Sequence, residues 1–179
     1  MNTSRHIRHS LVEALQQGVC LLDVLSDQDY IENLPAVFSA SIGGHFRHCL
    51  EHFEPLVEPE ATVIDYDARA RDVRVESDRG YALERTRALL EACRALPPAS
   101  MARKVHTRCK VSYLSDSSPL VISTLGREAM YAVVHAIHHY ALISVMCHLL
   151  DIPLPEGFGV APSTAKHQQD LAEQGVPVA

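Results

Sequence analysis

The chain has 179 residues, 47% of them hydrophobic, which suffices for one domain with its own core and gives no sign of a second. Sixteen basic against 22 acidic residues leave a formal charge of -6, removing the general attraction to phosphate backbones and arguing against a nucleic-acid partner. The N-terminus MNTSRHIRHS lacks the apolar stretch of a secretory leader, and the longest apolar runs, broken by histidines, fall short of a membrane span, so a cytoplasmic protein with no membrane partner is expected.

From Ser4 to Leu25, apolar residues at Ile7, Leu11, Ala14, Leu15, Val19, Leu22 and Leu25 recur at steps of three and four, the pattern of an amphipathic helix. A polar connection containing Pro35 follows, and Ser39 or Ser41 can cap a second helix, Ile42 to Leu56, whose end is set by Pro55 and Pro59. The stretch ATVIDYDARARDVRVESDRG mixes four arginines with four aspartates and a glutamate without a sustained period and reads as a long ordered loop. Helical spacing resumes from Ser77 to Leu96 and stops at Pro97-Pro98. Alternation in KVHTRCKVSY, followed by LSDSS and PLVIST, predicts a β-hairpin with a loose turn. A last helix starts with Ser123 or Thr124 as cap and runs to Leu150. Beyond it, residues 156–179 read as a surface tail anchored by Phe158. The expected architecture is therefore all-α, a four-helix bundle over residues 1–155 with a small β-hairpin inserted before the last helix.

Cys20, Cys49, Cys93, Cys109 and Cys147 are scattered and form no C-x-x-C pair, so neither a disulfide framework nor a thiolate zinc site is indicated. The histidines are more telling. YAVVHAIHHYALISVMCHLL is apolar enough for a core helix yet carries His135, His138, His139 and His148, and each buried imidazole needs a polar partner. Positions four apart lie one above the other on a helix, so His135 and His139 share a face that continues through Glu128, Tyr131, Leu142, Met146 and Leu149, an inward-looking stripe. His138 can pair with His135 instead, whereas His148 belongs at the surface or at a helix end. The second helix repeats the anomaly, with His45, His48 and His52 beside Phe46, Leu50 and Phe53. A third imidazole from this helix, with His48 in the middle, would complete three ligands and leave coordination positions open, as catalytic zinc, nickel or iron requires. No H-E-x-x-H occurs and no Glu-x-x-His pairs of a di-iron bundle, leaving one mononuclear site.

The segments SIGGHFRHCLEHFEPL, IDYDARARDVRVESDR, STLGREAMYAVVHAIHHYALI and LPEGFGVAPST, in this order, resemble the DinB/YfiT-like superfamily of metal-binding four-helix bundles over about residues 8 to 165. The resemblance implies one divalent ion, zinc, nickel or iron, on His48, His135 and His139, with Glu51 behind His48 and with His45, His52 and His138 as neighbours that join or replace a ligand. It further implies a metal-dependent enzyme of thiol-transferase or hydrolase type acting on a small thiol or other small molecule, and a homodimer. Related sulfoxide synthases carry a large additional C-terminal domain that does not follow here, which argues against that activity. The alternative is a non-catalytic stress or binding protein whose metal only staples the helices. Arg69, Arg71, Arg74 and Arg79 form either a solvated ion-pair network or, through Arg69, an anchor for a carboxylate at the cavity mouth. Phe46, Tyr66, Tyr131 and Met146 are candidates for the cavity wall, with core packing as their other role.

Overall fold

Helix formation follows the apolar periodicity. In the computed structural model, which describes residues 3–175, the long helices are α1 (Thr3–Val24), α3 (Ile42–Val57), α5 (Arg79–Ala95) and α6 (Leu125–Leu149). Short helices α2 (Asp27–Ile31) and α4 (Val73–Ser77) interrupt the connections, a single 3-10 turn spans Pro98–Ala102, and α7 (Pro162–Glu173) follows α6. Among the described residues three strands, β1 (Val63–Asp65), β2 (Lys104–Arg108) and β3 (Leu120–Thr124), complete the fold. The fold is thus mostly helical with a small sheet.

The caps explain the starts. Ser41 Oγ accepts from the Gly44 amide at 3.0 Å and Thr124 Oγ1 from the Arg127 amide at 3.2 Å, each satisfying a donor that the first helical turn leaves free. Pro55 sits inside the last turn of α3, where a missing amide removes only one helical bond, so the helix runs on to Val57 rather than ending at the proline. Asp151, at φ 55°, turns the chain out of α6.

Helix α1 packs against α5 and α6, and α3 packs against the same two. Their shared core contains Leu11, Leu15 and Leu22 from α1, Phe46, Leu50 and Phe53 from α3, Leu89, Leu90 and Cys93 from α5, and Ala129, Ala132, Ala136 and Ile143 from α6. The small residues of α6 let the neighbouring helices come close, and each large side chain so buried contributes about 2 kcal/mol. Gly43 marks another close approach, since a Cβ there would lie 2.0 Å from the carbonyl oxygen of Glu76.

Four expectations are corrected. The arginine-rich segment is not all loop: Val63–Asp65 pairs in parallel with β2 (Ile64 opposite Thr107), which itself pairs antiparallel with β3 (His106 opposite Ile122), so the hairpin becomes a three-stranded sheet. Within the same segment α4 forms and ends at Asp78, whose carboxylate caps α5 through the Tyr81 amide at 2.9 Å. The tail contains α7, a helix with no buried residue, although Phe158 is buried and stacks on Tyr140 as expected of an anchor. Its last residues, 176–179, lie outside the described part. Finally, α6 is long and apolar enough, by length and composition alone, to cross a membrane.

Helix α6 has three faces. The core face carries Ala129, Ala132, Ala136, Tyr140, Ile143 and Cys147. The histidine stripe lies about 90° around the helix from it, at the border of the core rather than its centre, and Leu149 at the end of that stripe is half exposed. On the outer side Met130, Val134, Ala141 and Val145 stand exposed with half-buried Ile137 between them, an apolar strip that spacing alone did not reveal.

Candidate metal centre

On α3 the core face runs through Phe46, Leu50 and Phe53, and His45, His48 and His52 flank it on one side. The packing of α3 on α6 brings that flank against His135 and His139. His48 Nε2 lies 2.8 Å from His135 Nε2, and His45 Nδ1 lies 2.8 Å from His139 Nδ1. The ring of His52 is 4.2 Å from that of His135, centre to centre. Five imidazoles from two helices therefore meet in one cluster.

Within it, one donor atom each from His48, His52 and His135 lie within 4.8 Å of one another. His48 and His135 are the residues expected; His52 takes the place given to His139. The His139 ring is nonetheless 4.6 Å from both His48 and His135, with its Nδ1 turned to His45. His138 is exposed, edge-on to His139, and His148 is exposed as expected.

The donor set fits a divalent ion. Burial is the main cause that pushes the imidazolium forms out, with His48 held at about 2, His139 at about 3 and His135 at about 4, and with His45 and His52 also lowered. Neighbouring imidazoles and, for His48, His52 and His135, the Arg69 charge add to it. Neutral rings are the ligating form. His52 Nδ1 is 2.8 Å from the His48 carbonyl oxygen, which only accepts, so this nitrogen carries the proton and Nε2 keeps its lone pair for a cation. His45 Nε2 is buried with no hydrogen-bond partner, an orphan in the same cluster.

The surroundings come from the sheet and the loop after it. The Tyr66 amide extends the β1 pairing by donating to the Arg108 carbonyl at 3.0 Å, which sets the tyrosine ring parallel to His52 at 5.1 Å. Its hydroxyl donates to Glu128 Oε2 at 2.8 Å, and Ser123 Oγ donates to Glu128 Oε1 at 2.6 Å. Burial, then the Glu128 bond, raises the Tyr66 pKa, so it stays a phenol at neutral pH. Tyr131 stacks on His135 at 5.6 Å. Arg69 Nη1 contacts His48 Nδ1 and pairs with the buried carboxylate of Glu51 at 3.1 Å. Arg47, 2.6 Å from Glu76, approaches Glu51 from the other side at 4.0 Å.

Two expected wall residues are elsewhere. Phe46 is fully buried and packs with Tyr30 and Tyr140, and Met146 is fully buried in the same core. Phe46 points to the core because it lies about 100° around α3 from His45. Ser123 and the carboxylate role of Glu128 were missed by sequence reasoning, since nothing in either local pattern points to Tyr66. A surface cavity of about 400 Å³ opens nearby on Asp65, Asp67, Ala68, Arg108, Asp116 and Ser118, but three aspartates against one arginine suit no anion. The free cysteines take no part, and burial raises the thiol pKa of Cys49.

No family model matches the chain, and no solved structure matches it. FK506-binding protein 5 of Rhizopus delemar is 34% identical over 106 residues, 59% of this chain and 28% of that protein. The match spans just over a quarter of that relative's length, so it leaves the family of this chain unassigned.

Proposed function

We propose that the chain is a DinB/YfiT-like four-helix bundle, cytoplasmic, that binds one divalent ion, zinc, nickel or iron, and uses it as a thiol transferase or hydrolase. The observation that carries this reading is the convergence of α3 and α6 imidazoles, with the donor atoms of His48, His52 and His135 within 4.8 Å of one another. His48 and His135 supply two ligands, and His52 or His139 supplies the third. A divalent ion on three neutral imidazoles keeps its full charge and lowers the pKa of a coordinated water or thiol toward neutrality. Tyr66 stacks on His52 and Tyr131 on His135, which helps to hold these two rings in place. Arg69, one fifth exposed, offers a guanidinium to the carboxylate of an anionic thiol at the rim.

A cobalt-substituted sample tests the open site. Its visible bands are expected to shift when glutathione, other small thiols or azide are added. A spectrum indifferent to all of them would instead support the second reading, in which His52 and His139 both ligate, four imidazoles close the ion in, and the protein is a non-catalytic stress or binding factor. The closeness of both rings to His135 favours considering it.

A homodimer through α6 belongs to the same proposal. The strip of Met130, Val134, Ile137, Ala141 and Val145 is uncharged over four turns, bounded by Arg127 and His148, and a second copy laid antiparallel would cover apolar with apolar. Wild-type protein is expected to sediment at twice 19.8 kDa and Val134→Glu at the single-chain mass. A monomeric wild type at micromolar concentration removes the dimer.

A further inference from the structure

We propose that Arg69 is a latch that competes with the metal ion for His48, so that metal binding must first displace it; the inference rests on the histidine site proposed above. A guanidinium has only donors, so where Arg69 Nη1 meets His48 Nδ1 the imidazole is the acceptor. The neutral ring then carries its proton on Nε2, the nitrogen that lies 2.8 Å from His135 Nε2. In that tautomer His48 has no lone pair to give on the side of His135. His52 is set the opposite way by the His48 carbonyl and is ready to ligate, so His48 alone among the three must be switched.

The parts for the switch are in place. Arg69 sits between β1 and α4 in a stretch without regular structure, and its Nε is buried without a hydrogen-bond partner, so Nη1 provides the polar contacts to α3. When Arg69 withdraws, the His48 proton moves to Nδ1 and Nε2 becomes a ligand. Glu51, one turn along α3, loses Arg69 from its Oε2 at the same moment, and this oxygen then accepts a hydrogen bond from the His48 Nδ1–H and orients the ring. The charge acts in the same sense, because a guanidinium a few ångströms from a dication opposes its entry.

Arg69→Met is therefore expected to bind zinc roughly ten- to a hundredfold more tightly than wild type in competition with a chromophoric chelator. Nitrogen-15 spectra of wild-type histidines, which need no variant, are expected to show His48 protonated at Nε2 in metal-free protein and at Nδ1 after zinc is added. Equal affinities of wild type and Arg69→Met, or a His48 already protonated at Nδ1 without metal, overturn the latch and leave the site standing. Absence of zinc binding by both proteins overturns the site and the latch together.

Discussion

Replacing His48 and His135 together by alanine is expected to reduce bound metal from about one ion per chain to none, as measured by elemental analysis of protein reconstituted with zinc. The effect is large because these two rings belong to either possible set of three, and two lost ligands cannot be replaced by water without losing most of the affinity. Single variants then choose the third ligand. Metal lost in His52→Ala selects the group whose donors lie nearest in the structure, and metal lost in His139→Ala selects the pair read from helical spacing. Wild-type metal content in the double variant would rule out the cluster altogether. In the wild type, zinc at a thousand times its dissociation constant should raise stability by about 4 kcal/mol, visible as a higher melting temperature.

Metal-free protein is expected to lose stability as the pH falls below 6.5. Burial depresses the folded-state pKa of His135 to about 4 and of His139 to about 3, so between 6.5 and these values the unfolded chain holds protons that the folded one does not. The stabilisation is fully present above the unfolded value of 6.5 and is withdrawn as pH drops through 4 toward 3. His48, His45 and His52, lowered chiefly by burial as well, act in the same direction. Because they are only partly buried, the combined slope is on the order of 1 kcal/mol per pH unit rather than the several that complete burial would give. Urea denaturation at pH 7, 6, 5 and 4 in the presence of a chelator measures it. A midpoint that stays level from 7 to 4 would show that the rings are already charged, or apart, in the folded protein. Alanine at His135 should flatten the dependence even where it lowers the stability at pH 7.

Local physics wrote much of the molecule into its sequence. The spans of α1, α3 and α6 follow from apolar residues at steps of three and four, and Ser41 and Thr124 cap where they do because a hydroxyl can satisfy an amide three residues on. The same periodicity placed two sets of histidines beside apolar faces on two helices. Elsewhere the local signal was weak: three residues of β1 carry no readable alternation and form a strand only because β2 offers an edge, and α7 follows a proline at its first position without an apolar face to announce it.

What the sequence determined alone, then, is that imidazoles would stand on α3 and α6 in ladders one turn apart. Only the tertiary structure decided that His52 lies as close to His135 as His139 does, that Tyr66 reaches Glu128, and that Arg69 comes down on His48 and Glu51. The reason is that spacing within a helix is fixed by its backbone geometry, whereas the rotation of one helix against another, and the path of a loop across both, are set by core packing among residues far apart in the chain.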